Sequence, residues 1–206
     1  SEWRCLPAPS AFSLAAARLG WPIEHVHCVA LHAAPLARLR PALAPGARVL
    51  ALLRDGAAVG DLAAYLAAQG FGATEMHVME ALGGPRERTR ATMAAEMDLT
   101  DVRHPVCVGM TVQGDGEVVP SASGRPDALF EHDGQITKRP VRALTLSALA
   151  PRPGARLWDI GAGSGAVAIE WLRAAPGRAS SRANCRRRRE NSDGLQSSIT
   201  LERLGL

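Results

Sequence analysis

The sequence is poor in several residue types that would each carry a function. Aromatic residues make up 4% and Lys138 is the single lysine, so a core must be built from Ala, Leu and Val, whose small side chains each contribute little burial. The four cysteines, Cys5, Cys28, Cys107 and Cys185, include no CxxC pair. That spacing excludes a zinc ribbon or a redox dithiol. No apolar run reaches the roughly 18 residues a membrane helix needs. No basic-then-apolar signal segment opens the chain, and the cytoplasm is the expected compartment.

What is present fits a folded chain. Of 206 residues, 47% are hydrophobic and 21% charged, a globular balance. The formal charge of +4 is local. Residues 178–206 hold seven arginines against Glu190, Asp193 and Glu202, and the rest of the chain is balanced. A basic pI here describes a tail, and no folded groove reader surrounds Arg186–Arg189, so nucleic acid is not an expected partner.

Element signals alternate along the chain. Ser10 suits an N-cap for a helix over Ala11–Leu19, closed by Gly20 and Pro22. Strands are expected at Val26–Leu31, Arg48–Leu53, Glu75–Leu82 and Pro105–Val112. Helices are expected at Pro35–Leu43, Val59–Gln69 and Arg86–Met97, with a hairpin at Val112–Val119 around Gly114-Asp115-Gly116. This alternation predicts an α/β layer on a largely parallel sheet. Residues 120–140 read as a linker, with a domain boundary near residue 122. Beyond it come a helix (Val141–Leu149), a strand (Arg156–Ile160), a glycine loop and a helix (Ala166–Ala174). Beyond Pro176 the periodicity is lost. Residues 178–206 read as a disordered, out-of-frame or artificial tail, without the strand that would close a βαβ unit.

The sharpest motif is Trp158-Asp159-Ile160-Gly161-Ala162-Gly163-Ser164-Gly165. A strand delivers a tight glycine turn and a helix starts at once, so backbone can approach a ligand closely and the first helical N–H groups favour polar partners. Two ligands remain open on the residues. DxGxGxG suits S-adenosylmethionine, whose sulfonium and amino groups favour a nearby carboxylate. Gly161, Gly163 and Ala166 also satisfy a dinucleotide fingerprint, but Ser180–Ala183 lacks the acid that would hold a ribose; the acid that the S-adenosylmethionine reading expects at the end of the next strand is missing too.

Three runs resemble a known family. Phe130-Glu131-His132-Asp133-Gly134-Gln135-Ile136-Thr137-Lys138-Arg139-Pro140-Val141-Arg142-Ala143, followed by the glycine loop, is similar to the start of the carbon-15 methylating domain of precorrin-6Y C(5,15)-methyltransferases. Pro140 stands where that family usually has Glu. Pro7–Pro22 and Glu80–Arg88 resemble the C-terminal half of the family's other domain, a tetrapyrrole methylase. There Leu31-His32-Ala33-Ala34-Pro35 stands in place of a Leu-His-Gly-Arg type segment.

The resemblance implies an α/β fold. Residues 1–120 would be the C-terminal half of a tetrapyrrole methylase domain and 121–177 the start of a Rossmann-like class I methyltransferase domain. It implies methyl transfer from S-adenosyl-L-methionine to carbons 5 and 15 of precorrin-6Y, with decarboxylation of an acetate side chain, in cobalamin biosynthesis. Carried over, Thr137, Asp159, Gly161, Ala162, Gly163, Ser164 and Gly165 would contact the cofactor. No catalytic nucleophile is required, and the arginines that face the substrate are left open, as is a homo-oligomeric state. Taken alone, Thr137 reads as an N-cap. Arg86, Arg88 and Arg90 read as a solvated helix face or as partners for substrate carboxylates. His25, His27, Cys28 and His32 do not complete a metal site. The alternatives are an inactive or interaction remnant of the family, a dinucleotide-dependent oxidoreductase, and a nucleic-acid-binding protein acting through the Arg-rich tail.

Overall fold

The computed structural model describes residues 3–5 and 7–174, and the backbone of residues 180–184. The chain divides into two compact units, 1–118 and 119–206.

In the first unit, α1 (Ala11–Leu19) starts where Ser10 accepts the Ser13 N–H at 3.1 Å and stops at Gly20, whose φ of 64° is left-handed. Strands β1 (Val26–Ala30), β2 (Arg48–Leu53), β3 (Glu75–Glu80), β4 (Arg88–Met93) and β5 (Val106–Thr111) form one sheet in the order β1-β2-β5-β3-β4. A 3-10 segment, Leu36–Ala42, precedes β2, and α2 (Ala57–Ala68) follows it. Ala33, where the family-like segment would have Gly, takes an ordinary backbone conformation.

Alternation along the strands splits the core into two faces. Val49, Ala51 and Leu53 of β2, with Val106, Val108 and Met110 of β5, pack against Val59, Leu62 and Leu66 of α2. Leu50, Met79 and Cys107 point the other way, onto Ala15 and Ala16 of α1. Gly109 is the contact point of α1 with the sheet, since a Cβ there would sit 2.4 Å from Leu19 Cδ1.

Three expectations need correction. The sheet is not largely parallel: β1 and β2 are parallel, but β5 runs antiparallel between β2 and β3, and β4 antiparallel to β3. An apolar run such as Val106–Thr111 encodes burial on both faces but not direction. Residues 88–93 form a strand and not a helix. The reason is tertiary: Arg88 and Arg90, two residues apart on a strand, share a face and both bind Glu80. Residues 112–119 form no hairpin. Gln113 exchanges hydrogen bonds with the Thr74 hydroxyl, and Gly114 and Gly116 lie so close to residues 69–71 that a Cβ on either would meet a backbone oxygen at 2.4 or 2.3 Å.

Glu80 is 2% exposed and fully satisfied. It accepts Arg88 Nε at 2.9 Å and Nη2 at 2.8 Å, Arg90 Nη2 at 3.0 Å, and the Arg103 N–H at 2.8 Å. Burial alone would push its carboxyl up. The hydrogen bonds from Arg88, Arg103 and Arg90 outweigh that and hold it at about 2.

The second unit is organised around Arg142, in α3 (Arg139–Leu149), and Glu170, in α4 (Ala166–Ala174). Both side chains are fully buried. Arg142 Nε donates to Glu170 Oε1 at 2.9 Å and Nη1 to Asp127 Oδ1 at 2.6 Å. The guanidinium also reaches the carbonyls of Thr137 and Arg125 and lies 4.6 Å from the Phe130 ring centre. Glu170 in turn accepts the N–H groups of Gly124 at 2.6 Å and Arg125 at 3.0 Å. The stretch read as a linker is therefore fastened to both helices.

Two further readings change in this unit. Helix α3 begins at Arg139, with Pro140 in its first turn, where the missing N–H costs nothing. Lys138 holds the cap position and no side chain caps it, so Thr137 is not the N-cap; its carbonyl is held by Arg142 instead. The strand thought missing is present: β7 (Ser180–Asn184) pairs parallel with β6 (Arg156–Ile160) and closes the βαβ unit. The absence of period-2 apolar residues hid it. The remaining residues of the tail lie outside those described.

Gly109→Val should destabilise the first unit by about 1–3 kcal/mol through overpacking against Leu19, seen as a lower urea midpoint. Glu80 titrates lower in the folded state than its unfolded value of 4.5, so its contribution is intact above that pH and fades as pH falls towards 2. The difference in urea midpoint between the native chain and Glu80→Gln should shrink across that window. Arg142→Met strips Glu170 of its nearest cation, leaving Arg125 Nη1 at 3.9 Å, and should cost about 3–5 kcal/mol, read as loss of amide-exchange protection in α3 and α4. Arg142→Met/Glu170→Met should recover only part of it, because the Gly124 and Arg125 N–H groups lose their acceptor.

Candidate functional site

The strongest candidate site lies at the carboxyl end of β6. Glycines at 161 and 163 take φ of 76° and 55°, left-handed conformations that a side-chain-bearing residue adopts at a cost. The Gly165 N–H closes the turn onto the Ala162 carbonyl at 2.8 Å, and the Ile169 N–H already bonds the Gly165 carbonyl at 2.9 Å. The strand thus passes into α4 with no slack. The first N–H groups of that helix are aimed at the loop, an arrangement that favours acceptor groups on a ligand.

Asp159 sits on the inward side of β6, while Trp158 and Ile160 on the other side are largely exposed. Burial pushes the Asp159 carboxyl up, and the Ala168 N–H in the first turn of α4 pulls it back in part. Its Oδ2 is buried and has no hydrogen-bond partner. A buried acceptor of this kind is costly unless something completes it. A ligand ammonium, hydroxyl or N–H group would do so.

Ile136 and Phe130 form one apolar cluster with Ala166 and Ile169 in the first turn of α4. Asp159 and the loop Gly161–Gly165 lie at the start of the same helix, and Thr137 is the exposed residue that follows Ile136. Ala162 and Ser164 are half-buried in the loop.

Sequence reasoning missed the residues that hold this segment in place, Gly124, Arg125, Asp127 and Glu170. The one signal was Glu170 itself, an acid among the apolar residues Ala166, Ala168, Ile169 and Trp171 of α4. Among the described residues, no group of three or more His, Cys, Asp or Glu side chains could hold a metal ion, and no helix is long and apolar enough to cross a membrane. Cys107 is buried, with its thiol pushed up to about 12 by burial.

Residues 1–98 match a family described as tetrapyrrole (corrin/porphyrin) methylases, and residues 128–196 one described as a precorrin methyltransferase domain. A precorrin-6Y C(5,15)-methyltransferase [decarboxylating] from Sinorhizobium sp is 55% identical over 179 residues, covering 85% of this chain and 43% of that protein. Its namesake from Mycobacterium tuberculosis (strain CDC 1551 / Oshkosh) is 42% identical over 176 residues, covering 84% and 43%. A crystal structure of the C-terminal domain of precorrin-6Y C5,15-methyltransferase from Rhodobacter capsulatus shares 61% identity over 30% of this chain and 33% of that one, with a TM-score of 0.28. The chain spans 43% of the length of these two curated relatives. It belongs to the precorrin-6Y C(5,15)-methyltransferase family.

Proposed function

We propose that this chain acts in S-adenosyl-L-methionine-dependent methylation of precorrin-6Y, at carbons 5 and 15 with decarboxylation of an acetate side chain, in cobalamin biosynthesis. The observation that carries the reading is the unpartnered, buried Oδ2 of Asp159 beside the glycine turn, in a chain whose relatives bear that enzyme name. Residues 1–120 serve as part of a tetrapyrrole methylase domain and 121–177 as part of a Rossmann-like methyltransferase domain.

The residues present fit the cofactor. Asp159 offers a carboxylate to its amino or hydroxyl groups. Gly161, Ala162, Gly163, Ser164 and Gly165 let backbone approach it, and Thr137 borders it. The cofactor supplies an activated methyl group on sulfur. What is left for the protein is to align the reacting carbon with that methyl and exclude water, a proximity effect. This explains why no Ser-His-Asp or paired-acid arrangement is needed.

Asp159→Asn separates this function from a structural role. Asp159 titrates higher in the folded chain than its ordinary value. Its charge therefore costs stability at neutral pH, and the cost disappears once pH falls below its unfolded range near 3.8. The variant should be more stable than the native chain at pH 7 and equal to it in acid, while calorimetric titration with S-adenosylhomocysteine shows affinity lowered by about tenfold or more. Unchanged affinity, or no binding by the folded native chain at millimolar ligand, would count against the proposed site.

A further inference from the structure

The first unit contains a cleft of about 380 Å³ at the end of β3, where the turn after Glu80 meets residues 101–104. Its charges are unequally committed. All three carboxylates on its wall are engaged. Glu80 holds Arg88 and Arg90, Asp101 holds the same two arginines at 3.1 Å, and Glu87 is clamped by Arg18 at 2.6 Å and by the Gly83 N–H at 2.7 Å. Arg86 and Arg103 also line the cleft, and their side chains have no ion-pair or hydrogen-bond partner among the described residues. His104 lies beside them. The backbone N–H of Arg103 is fixed on Glu80, so the buried ion-pair cluster of β3 and β4 sets where that free guanidinium begins.

The backbone around this cleft is strained. Ala81 and Asp101, both on its wall, have φ of 48° and 55°. Side-chain-bearing residues rarely take that conformation, and such strain gathers at ligand sites. The backbone N–H groups of Gly83 and Arg103 are already taken, by Glu87 and Glu80. The free cations on the wall are two guanidinium forks, which match carboxylates in geometry and charge.

We propose that this cleft binds carboxylate side arms of a polycarboxylate tetrapyrrole, with Arg86 and Arg103 as the paired cations and His104 as a third donor. The assignment deepens the proposed function and rests on it for the class of substrate. The volume suits acetate and propionate arms, with the macrocycle lying outside. Glu80 acts as a positioning residue through Arg103.

The test is absorbance titration of the 206-residue chain with uroporphyrin, a stable tetrapyrrole bearing carboxylate arms. The comparison is between Arg86→Gln/Arg103→Gln and Arg38→Gln/Arg152→Gln, which removes the same charge from exposed arginines elsewhere. Thermal melts establish that both variants are folded. The native chain should bind, the cleft variant should bind about tenfold or more weakly, and the control should stay within about twofold of native. Absence of binding by the native chain, equal losses in both variants, or displacement by inorganic phosphate at matched concentration would overturn the proposal. The S-adenosylhomocysteine titration reports on Asp159 alone. A failure there with the uroporphyrin result intact counts against the glycine-loop site and not against the cleft.

Discussion

The ion pair between Arg142 and Glu170 is the constraint on which the second unit depends. Two unlike charges with no access to water are stable only if every donor and acceptor is matched. Here Arg142 serves Glu170, Asp127 and two backbone carbonyls, while Glu170 takes two backbone N–H groups besides the guanidinium. The partners come from the 120–130 segment, α3 and α4. One pair thereby fixes three pieces of chain to one another. Ile136 and Phe130 are carried with them onto Ala166 and Ile169, which sets the segment ending at Thr137 against the helix that begins at the glycine loop.

The first unit solves a similar problem at its sheet edge. Strand β4 has few apolar residues, and its Arg88 and Arg90 would gain little as a strand by themselves. Glu80, buried on the neighbouring strand, supplies the reason for pairing. It spans both arginines and also takes the Arg103 N–H. The same acid that depends on these cations for its low pKa thus shapes the wall of the cleft. In both units a buried carboxylate holds backbone N–H of a segment outside the regular elements, and in the first unit that segment carries Arg103.

The two candidate sites differ in what they lack. At the glycine loop the unmet group is an acceptor, Asp159 Oδ2. In the cleft the unmet groups are donors, Arg86 and Arg103. The ligands proposed for them, a cationic cofactor and a polyanionic tetrapyrrole, have those complementary needs. The sparse inventory of nucleophiles in the sequence is consistent with methyl transfer.

Local chemistry was enough to place many elements. Ser10 and Gly20 bound α1, the run Arg48–Leu53 is a strand from its first residue to its last, and the glycine loop sits between β6 and α4 as its spacing requires. These features are set by caps, by continuous burial and by left-handed turns, all short-range. Where the sequence misled, the deciding partner was distant. Arg88 and Arg90 read as a helix face because Glu80 was not known to lie opposite them. Residues 120–140 read as a linker because Glu170, more than 40 residues on, was not known to collect their N–H groups. The direction of β5 carries no mark in an apolar run, and β7 is held by its ladder with β6 without apolar alternation. The family, the glycine turn and the acid before it were legible in the sequence. Which charges are spent inside the protein, and which remain for a ligand, was decided by tertiary structure, because a charge is free only when no other part of the chain reaches it.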